Sequence, residues 1–80
     1  MQMTDEALTP VERAILTVLE RRGIWMNRAQ LAESIGRPHT LHPTDYKALA
    51  RLENLGLIES RQSPRGIGAI KWEYKAKVGS

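Results

Sequence analysis

The chain has no cysteine, so neither a disulfide framework nor a thiolate metal site is open to it, and hydrophobic contacts must hold the fold unaided. It has no phenylalanine either; two tryptophans and two tyrosines are its whole aromatic complement. That scarcity assigns Trp25 and Trp72 to the core, and one tryptophan per element makes no continuous track for stacking bases. No apolar run approaches the roughly 20 residues that cross a bilayer. The start, MQMTDEALTP, is acidic and polar where a signal peptide is basic and then apolar. A single small domain, cytoplasmic and without a membrane partner, is expected.

A strong excess of one charge is also missing, since the net charge is only +3. Its distribution is uneven. Residues 1–26 carry four acids (Asp5, Glu6, Glu12, Glu20) and three bases (Arg13, Arg21, Arg22), whereas residues 60–80 carry five bases (Arg61, Arg65, Lys71, Lys75, Lys77) and Glu73 alone. The C-terminal end therefore suits an anionic partner, although a hairpin kept soluble by its lysines accounts for the same numbers. His39 and His42 are three apart, but no cysteine or acid at ligand spacing supports a metal, and loop histidines or phosphate contacts fit them better. No nucleophile stands beside a base in a known pattern, and no glycine loop precedes a helix at phosphate-binding spacing. Neither catalysis nor a cofactor is expected, and no small-molecule ligand is evident.

What is present is punctuation. Thr9-Pro10-Val11-Glu12 is a helix start, with threonine as N-cap, proline in the first position and glutamate completing a capping box. Val11, Ala14, Ile15, Val18 and Leu19 then share one stripe, and Gly23 stops a first helix spanning about 10–22. Ile24-Trp25-Met26 suits a one-rung strand. Asn27-Arg28-Ala29-Gln30 is a second cap signal, opening a helix over about 28–35 that buries Leu31, Ala32 and Ile35 and ends at Gly36. Pro43 can sit in the first turn of a third helix, over about 43–55. Its buried stripe has Asp45 or Tyr46 at the edge, then Ala48, Leu49 and Leu52; its opposite face carries Thr44, Lys47, Ala50, Arg51 and Asn54. Gly56 ends it, and Leu57 and Ile58 return to the core. Beyond Gly56 the period becomes two: Ile70, Trp72 and Tyr74 alternate with Lys71, Glu73 and Lys75, in a strand whose hairpin partner is 58–62. The link from Ser63 to Gly68 is turn chemistry. Residues 1–8 and 77–80 read as loose ends around an ordered core of about 9–76.

This order of elements, with glycines at 36 and 56, resembles the winged helix-turn-helix family of transcription regulators, including its MarR-like and ArsR-like groups. The matches are Leu-Ala-Glu-x-Ile-Gly at 31–36, the leucines at 49 and 52, Leu-Gly-Leu-Ile at 55–58 and the glycine-containing wing, together covering about 9–75. The resemblance implies an α+β, mostly α fold: a three-helix bundle with a short strand and a C-terminal β-hairpin wing. The chain departs from the family in one place, a longer turn at Arg37–His42.

The resemblance also implies double-stranded DNA as the partner, with the third helix in the major groove and the wing on the minor groove or backbone. Thr44 would then meet a phosphate or base edge, Lys47 and Arg51 would reach bases or backbone, and Asn54 would meet phosphate. Arg51 is the best single candidate for a base, because its planar fork makes two bonds at once. Tyr46 would pack on a sugar, contact phosphate or be buried. Arg65, at the wing tip, would enter the minor groove, and Arg61, Lys71 and Lys75 would meet phosphate. Arg28 and Arg37 are secondary phosphate candidates, or cover apolar surface with their stems. The implied function is that of a small transcriptional regulator. The alternatives are a winged-helix adaptor for protein contact and an architectural or replication-linked binder of mobile DNA. Monomer and homodimer, the latter paired through the first helix or the N-terminal arm, are both left open.

Overall fold

In the computed structural model, which describes residues 8–38, 40–63 and 71–77, helix α1 (Pro10–Arg22) starts where Thr9 and Glu12 exchange hydrogen bonds. Thr9 Oγ1 accepts from the Glu12 N–H at 3.2 Å, and Glu12 Oε1 accepts from the Thr9 N–H at 2.9 Å. A cap of this kind contributes about 1 kcal/mol. Asn27 and Gln30 repeat the exchange at 2.8 and 2.9 Å to start α2 (Arg28–Ser34). Helix α3 (Pro43–Asn54) opens with Pro43, which has no N–H to satisfy, and with the Asp45 carboxylate accepting the His42 N–H at 2.7 Å.

Helices α2 and α3 are closed by the same device. Gly36 and Gly56 have φ of 87° and 78°, a region that side chains rarely enter. The following N–H turns back to a carbonyl inside the helix, Arg37 to Ala32 at 2.7 Å and Leu57 to Leu52 at 3.0 Å. A Cβ on either glycine would meet nothing within 4 Å, so backbone angle rather than space reserves both positions.

Strands β1 (Met26–Asn27), β2 (Ile58–Ser63) and β3 (Lys71–Ala76) form an antiparallel sheet in the order β1-β3-β2. Met26 lies opposite Tyr74, and Ser60 and Ile58 lie opposite Tyr74 and Ala76. Alternation therefore turns Met26, Ile58, Tyr74 and Ala76 toward the helices, where they are buried, and sets Asn27, Arg61, Glu73 and Lys75 on the other face. Ile15, Leu19, Leu31 and Leu52 complete the core from the helix side. The result is an α+β fold of three helices and a three-stranded antiparallel sheet, a layout compatible with a winged helix. Among the described residues no helix is long and apolar enough to cross a membrane.

Several expectations shift. The first strand is Met26–Asn27, not 24–26, and Ile24 is 52% exposed, because pairing follows the Asn27 cap rather than the apolar run. The stripe of α1 is rotated: Leu16 is buried and Ala14 is exposed. Leu8, expected in a loose end, is 6% exposed and belongs to the core, and the Lys77 N–H donates to the Leu57 carbonyl at 2.9 Å. The tryptophans are only half-buried. Trp25 leaves the core because Met26, its neighbour, points in; it lies instead under the Arg61 guanidinium, 4.1 Å from ring centre to Cζ. Trp72 is on the helix-facing side of β3, at the end of the strand remote from the buried Ala76.

Candidate nucleic-acid interface

The mounting of α3 begins with Asp45. It sits in the centre of the helix's buried side with 0% exposure, between Ala48, Leu49 and Leu52, rather than at its edge. A buried carboxylate needs partners. Arg37 supplies a two-pronged one, Nε to Oδ2 at 2.9 Å and Nη2 to Oδ1 at 2.8 Å, and His42 N–H supplies a third bond. The guanidinium bonds hold the Asp45 carboxyl below the usual carboxylate range against the opposing pull of burial, and the carboxylate raises Arg37 in turn. Leu41, buried in the core, is the second anchor of the long turn. Arg37, a phosphate candidate from sequence, is thus committed inward, to the placement of α3.

The other side of α3 is open. Pro43, Lys47, Ala50 and Asn54 lie within one stripe and all are exposed. Among the described residues no carboxylate pairs with Lys47. Thr44 and Arg51 flank this stripe on the α1 side. With Lys47, Thr9, Val11, Glu12 and Ala48 they line a groove of about 360 Å³ between the two helices. Arg51 is not free to reach outward as it stands: its Nη1 donates to Glu12 Oε1 at 2.6 Å, the same oxygen that caps α1.

Tyr46, 39% exposed rather than buried, flanks the stripe on the sheet side. The Arg28 guanidinium lies over its ring at 4.8 Å and over the Trp72 ring at 5.9 Å, while Arg28 Nε donates to the Tyr74 hydroxyl at 3.1 Å. These contacts fix an arginine that would otherwise lose its rotamer freedom on meeting a ligand. Beside it a notch of about 300 Å³ is lined by Arg28, Tyr46, Ala50, Glu53, Ser60 and Trp72, among others. Ser60 Oγ donates to Glu53 Oε2 across the notch at 2.7 Å. A second cavity of about 250 Å³, also lined by Arg28 and Trp72, adds Asn27, Ala29 and Lys71.

The hairpin divides its charges differently from the expectation. Arg61 Nε donates to Glu73 Oε1 at 2.8 Å, and with Trp25 and Lys75 it belongs to the sheet face turned away from α3. Lys71 starts that same row but borders the Arg28 cavity at the sheet's edge. Arg65, with Ser63's successors to Ile70, falls outside the described residues, as does His39.

The structure therefore gathers Arg28, Tyr46 and Lys71 in one region and Thr44, Lys47 and Arg51 in another, with Asn54 at the far end of the open stripe. Sequence reasoning missed Glu12 as the partner of Arg51, Trp72 and Tyr74 as the seat of Arg28, and the Glu53–Ser60 pair. Glu12 had a visible role as a cap, and no local spacing relates it to position 51. Comparison of the chain with family models, curated proteins and solved structures returns no match.

Proposed function

We propose that this chain is a winged helix-turn-helix protein that binds double-stranded DNA in a sequence-specific way, as a small transcriptional regulator. Helix α3 enters the major groove and the β2–β3 hairpin is the wing, with Arg65 addressing the minor groove. The observation that carries this is the open stripe Pro43, Lys47, Ala50 and Asn54, on a helix whose opposite side is fully embedded and clamped by the Arg37–Asp45 fork. A groove-reading helix needs that combination. Its base-facing side chains gain specificity only if the backbone behind them is fixed, and a small residue such as Ala50 at the centre lets the helix approach closely. Arg28 and Lys71 flank the stripe for phosphate contact.

One observation favours a protein-contact adaptor instead: Arg37, Arg51 and Arg61 are each paired with a carboxylate of the same chain, which weakens the positive field. A titration of random-sequence duplex DNA by fluorescence anisotropy, at several salt concentrations, separates the two. Binding that falls steeply with salt supports the DNA surface. Absence of binding at low salt overturns it in favour of the adaptor.

A further inference from the structure

The notch beside α3 has features that contact with a base-paired duplex does not require. Its wall is the Trp72 indole, over which the flat guanidinium of Arg28 lies at 5.9 Å, held there by the Tyr46 ring and the Tyr74 hydroxyl. Its far side is the Glu53 carboxylate, with Ser60 donating to one oxygen, Oε2, so that Oε1 is left to accept. The adjoining cavity shares Arg28 and Trp72 and adds the Lys71 ammonium. An aromatic face, an acceptor and two cations around one notch answer the three contacts that one nucleotide offers: a base to stack, an amino edge to donate, and a phosphate to neutralise. Ala50 belongs both to the notch and to the open stripe of α3, so a strand lying along α3 passes its mouth.

We propose that this notch takes one unpaired nucleobase of a DNA strand, stacked on Trp72 in the place the Arg28 guanidinium now covers, with its amino edge on Glu53 and its phosphate drawing the displaced Arg28 toward Lys71. Guanine, with two neighbouring donors on its Watson–Crick edge, is preferred over thymine, which has one donor between two acceptors. This inference rests on the placement of DNA along α3 and adds a preference for sites with an extruded or unpaired base.

The test compares four labelled DNAs: a blunt duplex, and the same duplex with one extra unpaired guanine, thymine or abasic residue. The Trp25→Phe chain leaves Trp72 as the only indole, so its fluorescence reports stacking directly. The expected result is that the guanine bulge binds about 5- to 100-fold tighter than the abasic bulge, the range for stacking one base on an aromatic side chain, with quenching of Trp72. Glu53→Gln, an exposed position, abolishes the guanine-over-thymine preference without unfolding the chain, and Lys71→Ala weakens the bulged probe more than the blunt one. Equal binding of guanine and abasic bulges, with Trp72 fluorescence unchanged, overturns the proposal and assigns any gain to DNA flexibility. Guanosine monophosphate bound as tightly as the bulged strand overturns it in favour of a free nucleotide. If the blunt duplex fails to bind while a single-stranded guanine oligonucleotide binds and quenches Trp72, the notch stands and the duplex assignment falls.

Discussion

Replacing Asp45 with asparagine tests whether the fork with Arg37 holds α3 in place. The carboxylate accepts three hydrogen bonds, and asparagine keeps a carbonyl oxygen for the two that meet at Oδ2, from the His42 N–H and from Arg37 Nε. The other terminus, in place of Oδ1, becomes an NH2 group facing the Arg37 Nη2 donor, and the charge behind both Arg37 bonds is lost. Each bond to a charged group is worth about 1.5–3 kcal/mol, but Arg37 is partly exposed and regains water, so the expected loss for Asp45→Asn is about 2–3 kcal/mol rather than the full sum. For a domain of this size that lowers Tm by about 10–20 °C. The pH dependence has a definite sign. The folded-state carboxyl is held below its ordinary value, so its contribution is complete above about pH 4 and drains away as pH falls through the depressed folded value. Thermal melts of the native chain should therefore be level near neutrality and drop in acid, with the variant showing a shallower drop from a lower plateau. Amide exchange at 40–46 should quicken in the variant, because the turn and the first turn of α3 share this anchor. An unchanged Tm with an unchanged acid slope would refute the reasoning and leave Leu41 as the sole anchor of the turn.

Lys47→Ala should weaken duplex binding and reduce the salt slope by about one, whereas Lys75→Ala, on the far face of the sheet, should leave both unchanged; equal losses would contradict the proposed face. Glu12→Gln keeps an acceptor for the Thr9 N–H but removes a negative charge from the groove beside α3, so duplex affinity should rise about two- to fivefold, an amount scaled to a partly exposed ion pair. Weaker binding by that variant in the same anisotropy assay would place Arg51's DNA contacts in its Glu12-bound rotamer. Leu8→Ala should cost about 2 kcal/mol in urea unfolding, the low end for a buried leucine; no loss would return Leu8 to the loose end the sequence suggested.

The elements most legible in the sequence are those written in local chemistry. Thr9 with Glu12, and Asn27 with Gln30, are caps three residues apart, and both form as read. Gly36 and Gly56 closed their helices because no other residue enters that backbone region cheaply. The period-2 run after Gly56 gave the hairpin and the inward face of Tyr74. What could not be read is where a stripe of residues meets a neighbour. Asp45 and Tyr46 differ by one helical step, and nothing local says that the acid goes in and the aromatic out; Arg37, eight residues back, decides it by carrying the charge that makes burial of Asp45 tolerable.

The same limit governs the candidate site. Composition counts bases, but a field depends on which of them already have partners. Arg51 was favoured from sequence because its planar fork suits guanine, and that same geometry lets it reach Glu12, thirty-nine residues away, across the α1–α3 contact. Arg61 answers Glu73 across a strand pair, and Arg37 answers Asp45 across a turn. Each arginine meets its acid through tertiary structure or strand register, neither of which a single sequence displays. Lysine behaves differently here: its charge is a point on a long flexible stem, and Lys47 lies on the open stripe with no carboxylate among the described residues to hold it. The paired arginines therefore fix where α3 and the sheet lie, and on the proposed DNA face the phosphate contacts would fall to Lys47, to Lys71 and to Arg28, whose partners among the described residues are aromatic and leave its charge unneutralised.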